Sequence, residues 1–370
     1  MSIAVPLHNW TPFAADSLVL PDPDGQEILS LVVSATFVIG VDGRLECAVK
    51  QPPMLYADVS HGVPGLSSIM QEADVAIEKR RVDVIVNAAA YAPKGRISER
   101  VVVAFAVGDV RKQLVVSGDR EWRAGLRGQT ASAPKPFLRM PIVYERAFGG
   151  ARQSADESAG SLTYAFNPVG VGFHGARSAD PAVTTEMPNV EDPHNLITRR
   201  GDVPHHAGIG VVARVWAPRA GRAGTYDDEW LKSRWPCLPK DFDPSFYQCA
   251  PDDQQSSTLV GGETFQTLNL TPEGAMAFRL PRLSVPVRLY FDDRLETSML
   301  RVDTVVLECD SRSLVLRGRI AVRTVRNAPR LRQIIVGHPT SGCLRAFANH
   351  KRFLANRDVR PLQAFRHFAL

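Results

Sequence analysis

Residues 27–40, EILSLVVSATFVIG, decide the reading of the fold. The run is dense in β-branched and aromatic residues, which favour a pleated, half-buried surface. Two serines and a threonine interrupt it, so it is a strand rather than a bilayer-spanning segment, which needs about 18–20 apolar residues. It is followed by VDGRLECAV (41–49), where Asp42-Gly43 is a hairpin-turn dipeptide between apolar runs.

Working outward, the same signals recur. VDVIVNAAAYAP (82–93) is a strand closed by Pro93 and Gly95, and RVVVAFAVGDVRKQLVVSGDREW (100–122) is two strands around Gly108-Asp109. Further on, TFQTLNL (264–270), AMAFRLP (275–281), VPVRLYFD (285–292) and LRVDTVVLECDSRSLVLRGRIAV (300–322) alternate apolar with polar, with a turn at Asp310-Ser311. Short strands at close spacing without a long helical period predict a mainly β protein. The expected architecture is two antiparallel β layers, sandwich or barrel-like, bridged by a long ordered irregular region.

That irregular region spans 149–262, between a β region at 1–148 and a second at 263–326 that completes the same domain. It is crowded with Pro, Gly, Asn, Asp and aromatic residues, as in YAFNPVGVGFHG (164–175) and EMPNVEDPHN (186–195). Disordered linkers are poor in aromatics, so Trp216, Trp230 and Trp235 mark ordered loops pinned by large side chains. TYDDEWLKSRW (225–235) predicts a short helix with Thr225 as its N-cap and acidic residues in the first turn. Residues 327–370 read as a basic tail with short helices.

Charge is unevenly distributed. The chain of 370 residues has a formal charge of +5, but residues 311–370 carry 13 Lys and Arg against Asp358 alone. The preceding 310 residues hold 31 Lys and Arg against 38 acidic residues, so the body is acidic and the tail basic. Such a tail could fold back on the body, meet an acidic protein, or bind nucleic acid. Five widely spaced cysteines do not make a disulfide framework. With no secretory signal in MSIAVPLHNWTPF, a cytoplasmic location is expected.

Candidate chemistry is sparse. Gly170, Gly172 and Gly175 match G-x-G-x-x-G, but Pro168 before them and Pro181 after them disfavour the strand–turn–helix that dinucleotide binding requires. Glu191, Asp192, His194, His205 and His206 crowd one span without the close pairing typical of zinc ligands. In DPSFYQCAPDDQQ (243–255), Cys249 precedes Asp252 and Asp253, whose charges would oppose a thiolate rather than favour it. We therefore expect no catalytic residue, metal or cofactor. An enzyme acting through 191–206 or 249–253 and a nucleic-acid-associated protein acting through the tail are kept as alternatives.

A series of ordered short motifs carries a resemblance. NWTPFAAD (9–16), QPPMLYAD (51–58), HGVPGLSS (61–68), FLRMPIVYERAFGG (137–150), NPVGVGF (167–173), MPNVEDP (187–193), residues 216–254 and GGETFQTLNLTPEG (261–274) together resemble a bacterial family of domains of unknown function whose members are encoded among type VI secretion genes. The resemblance runs from about residue 9 to 320. It implies an accessory adaptor or chaperone that binds a secreted effector and helps load it on the secretion spike or its tip protein. Tryptophan, tyrosine and arginine dominate interface hot spots, which makes Trp216, Arg219, Arg222, Tyr226 and Trp230 the expected partner contacts. Glu145, Arg146 and Asp192 are expected in an architectural charge network, with Arg152 as a further partner, because buried charges must be paired.

Overall fold

A computed structural model describes residues 5–125, 128–152, 162–173, 186–205, 207–323 and 329–349. The protein is mainly β. The strand expected from the opening motif, Glu27–Ile39, lies inside a seven-stranded sheet. Its antiparallel neighbours are Ala14–Pro21 on one side and Ser313–Arg323 on the other, and the short Leu45–Cys47 folds back on it through the Gly40–Arg44 turn. Arg301–Glu308, parallel Val82–Asn87 and Gln255–Ser256 complete the sheet. Strands from both ends of the chain thus interleave, and the first and last β regions share one sheet.

Two further sheets flank it. Val190–Glu191, Val110–Ser117, Arg100–Val107, Thr264–Leu268 and Ala275–Arg279 form an antiparallel five-stranded sheet in that order. Leu7–Trp10, Leu331–Gly337, Pro286–Phe291 and Leu295–Met299 form a four-stranded one. The described strand orders are open paths, not closed barrels. Residues 331–337, assigned above to the basic tail, are instead an interior strand. Ile334, Ile335 and Val336 are fully buried there, so the apolar run outweighs the flanking arginines. Helix α3, Ser341–Ala348, follows, with Cys343 packed on Ile335. The remainder of the tail lies outside the described residues.

A single large core joins the three sheets. Leu29, Leu31, Val33, Ala35 and Phe37 from one face of the opening strand meet Val101, Val103, Phe105 and Val107 of the five-stranded sheet and Leu289, Ile334 and Val336 of the four-stranded one. The opposite face is also buried. Ser30, Ser34 and Thr36 look like a solvent face in the sequence but are covered by the segment around 48–77, with Ser30 Oγ donating to the Ala76 carbonyl at 2.8 Å and Gln51 bonding the Thr36 backbone. No helix of the described residues is long and apolar enough to cross a membrane.

Candidate functional site

The second face of the seven-stranded sheet carries charge rather than a continuous apolar layer. Asp83, in the middle of an apolar strand, is wholly buried and accepts from Lys79 Nζ at 2.6 Å, Gln248 Nε2 at 2.8 Å, and the backbone N–H groups of Cys249 (2.9 Å) and Ala250 (3.2 Å). Arg317 and Arg319 project from the same face. Arg317 pairs with Asp74 at 2.9 Å and Arg319 with Asp303 at 2.6 Å. These contacts fasten residues 72–83 and 248–250 to the sheet.

Arg219 is the latch of the irregular region. Helix α1, Ala217–Ala220, places its guanidinium in the interior, where it donates to the Val212 carbonyl at 2.7 Å, the Phe246 carbonyl at 2.8 and 3.0 Å, and Glu72 at 2.6 Å. Arg214 reaches the same Glu72 oxygen at 2.8 Å. Burial by itself pushes the Glu72 carboxyl up, but Arg219, Lys79 and Arg214 outweigh it and hold it down at about 2. Trp216 is buried as well, edge-on to Tyr144 with ring centroids 4.9 Å apart.

Two of the five expected contact residues, Trp216 and Arg219, are therefore interior. Arg is seldom fully buried unless every donor has a partner, and here the loop carbonyls and Glu72 supply them. Arg222 is half-buried and lies 3.3 Å from Asp252. Tyr226 is exposed and Trp230 half-buried, edge-on to one another at 4.7 Å.

The three residues expected in a charge network make separate contacts. Glu145 accepts from the Ser68 backbone N–H at 2.6 Å and its hydroxyl at 2.7 Å, Arg146 meets Asn189 at 3.0 Å and Asp119 at 3.5 Å, and Asp192 accepts the His194 N–H at 2.8 Å. These three do not pair with one another; the Arg152 side chain lies outside the described residues. The deep ion pairs are Glu72 with Arg219, Lys79 with Asp83, Arg120 with Glu191, Arg317 with Asp74 and Arg319 with Asp303. A lone Asp in VDVIVN and paired arginines in LRGRIAV were the available signals, but alternation made them look solvent-facing.

Cys249 is no activated nucleophile. It is buried 3.4 Å from both Lys79 Nζ and Asp83 Oδ2, and burial followed by the Asp83 charge pushes its thiol well up despite Lys79. Among the described residues no three His, Cys, Asp or Glu side chains gather around a cation-sized space. Glu191 is occupied by Arg120, and His206 lies outside the described residues. Gly170 serves close packing, since a Cβ there would sit 2.6 Å from the Ala147 carbonyl oxygen; Gly175 is outside the described residues.

What does reach solvent is a pinned apolar projection. Helix α2, Asp228–Ser233, is capped by Asp227, which accepts from the Trp230 N–H at 2.8 Å, so the cap falls two residues later than the expected Thr225. Thr225 instead donates to Asp241 through its N–H and hydroxyl at 3.0 and 2.7 Å. Trp230 Nε1 bonds the Cys237 carbonyl at 2.9 Å, and Arg234 bonds the Pro23 carbonyl. On this braced frame Tyr226 is 53% exposed, Leu231 58% and Trp235 65%. Large apolar side chains held rigidly in water lose little further freedom on binding, which suits recognition of another polypeptide.

With that geometry in hand, the chain can be placed among known proteins. Residues 24–319 match a family described as an uncharacterized protein conserved in bacteria (DUF2169), and the chain belongs to that family. No curated protein and no solved structure matches it.

Proposed function

Taking membership of this bacterial family as the premise, we propose that the protein is a cytoplasmic adaptor or chaperone for type VI secretion. It binds a secreted effector and helps load it on the spike or its tip protein. The observation that carries the reading is the α2 projection, where Tyr226, Leu231 and Trp235 stand exposed on a frame braced by Asp227, Asp241 and the Trp230 indole. Aromatic anchors in a rigid setting are the commonest hot spots of protein interfaces. The ordered motifs between residues 9 and 320, which resemble secretion-associated proteins, support the partner class.

The test has two arms. Tagged full-length protein, purified from its native host, should retain an effector or a spike component identified by mass spectrometry. Deleting its gene should abolish delivery of that effector while the spike still assembles. Recovery of neither component, or unchanged delivery, overturns the proposal.

A further inference from the structure

We propose that the outer face of the five-stranded sheet is a second docking surface, distinct from the α2 projection, and that it receives an amphipathic helix of another polypeptide bearing carboxylates beside its apolar stripe. The inference rests on the adaptor reading, because an adaptor must hold two components at once.

The face follows from strand register. Arg111, Ala106, Gln266 and Ala277 lie side by side across four strands, and Gln113, Ala104, Leu268 and Ala275 form the next row. Their neighbours Phe105, Leu114, Phe265, Met276 and Phe278 point into the core, so every residue of the two rows faces outward. Half of the eight are alanines, and Leu268 and, one step along, Val102 add exposed apolar surface. A sheet face intended for water alone normally alternates in polar residues there. Small side chains instead let a second layer approach closely, and four strands about 4.8 Å apart give a bed wide enough for a helix about 10 Å across.

The edges are shaped to match. On one side Asp192, Pro193, His194 and Asp253 wall a groove of about 540 Å³ with Arg111 and Gln113. On the other, the Gly43 turn presses on the outermost strand, where a Cβ would stand 2.3 Å from the Ala277 carbonyl oxygen. That closes the strand edge to β-addition and leaves the face as the route of approach.

Charge selects the occupant. Lys112 is paired with Asp253, but Arg111 and Arg279, exposed at opposite margins of the face, have no ion-pair partner among the described residues. A second copy of the chain would set arginine against arginine. Residues 350–370, with five Lys and Arg against Asp358, carry the same sign. Carboxylates on a foreign helix complement Arg111 and Arg279, with Asp253 already neutralised by Lys112 and Asp192 remaining as an acidic residue of the groove wall.

The probe is the polypeptide recovered from the native host, made recombinantly. Ala104→Cys places a thiol in the middle of the face. Iodoacetamide should label it freely in the isolated protein and at least about tenfold more slowly in the complex, read by peptide mass spectrometry. Arg111→Glu with Arg279→Glu should weaken the complex by roughly tenfold while leaving thermal unfolding unchanged. Protection of the introduced thiol in the isolated protein means that this chain or a second copy already covers the face, and overturns the proposal. Undiminished labelling in the complex, with the α2 projection still required for binding, overturns this surface while leaving the adaptor reading intact. A wild-type protein that retains no polypeptide overturns both.

Discussion

Replacing Arg219 with methionine tests the claim that a buried latch, rather than apolar packing alone, holds the irregular region to the sheet. The substitution keeps much of the side-chain volume but removes the donors to Val212, Phe246 and Glu72. Breaking a buried ion pair from one side costs about 3–5 kcal/mol, because the remaining charge stays buried without its partner. The proton linkage of Glu72 gives a net figure for the whole cluster, in which Arg219, Lys79 and Arg214 together outweigh burial. Lowering its carboxyl from 4.5 to about 2 corresponds to about 3 kcal/mol at 1.36 kcal/mol per unit. Since the folded value is the depressed one, this stabilisation is complete above pH 4.5 and is lost as pH falls through that value toward about 2. Urea unfolding followed by tryptophan fluorescence should therefore show Arg219→Met destabilised by about 3–5 kcal/mol at pH 7, with the gap to wild type narrowing at pH 3. Adding Glu72→Leu should recover part of the loss by removing the orphaned carboxylate. A loss below about 1 kcal/mol at pH 7, or a gap independent of pH, refutes the latch.

Trp235→Ala should change stability by no more than about 0.5 kcal/mol, since the side chain is exposed, yet reduce co-purification of the partner. Equal recovery by wild type and variant contradicts the docking role. In the native protein a maleimide should label exposed Cys47 and spare buried Cys249 and Cys309; labelling of Cys249 at the rate of Cys47 contradicts its enclosure. Asp83→Asn, which leaves Lys79 buried without its counter-charge, should cost about 3–5 kcal/mol in urea unfolding. Gly118→Ala should markedly lower the unfolding midpoint, because its Cβ would fall 1.7 Å from the Lys135 carbonyl oxygen. An unchanged midpoint for either variant removes the corresponding contact from the account.

Much of the strand inventory was legible because it rests on local rules. The runs at 27–39, 100–107, 110–117, 264–268, 275–279 and 313–323 are β-branched or strictly alternating, and turn dipeptides such as Asp42-Gly43 and Gly108-Asp109 punctuate them. Partner choice was not legible. Leu331–Gly337 has strand composition, but its basic surroundings read as a tail until its pairing with Leu7–Trp10 and Pro286–Phe291 fixed it in the core. The site was less legible still. Residue type singled out Trp216, Arg219, Tyr226 and Trp230 alike, yet Trp216 and Arg219 are interior.

The sequence by itself determined the β character, the order of many strands and the turns between them. All of these depend on contacts within a few residues, which residue type and period encode directly. Only the tertiary structure decided which polar faces meet water. Ser30, Ser34, Asp83, Arg317 and Arg319 alternate like a solvent face, yet segments distant in the chain cover them. Ala104, Ala106 and Ala277 alternate in the same way and stay uncovered by described elements. Burial is a property of what packs against a residue, and that partner lies far away along the chain.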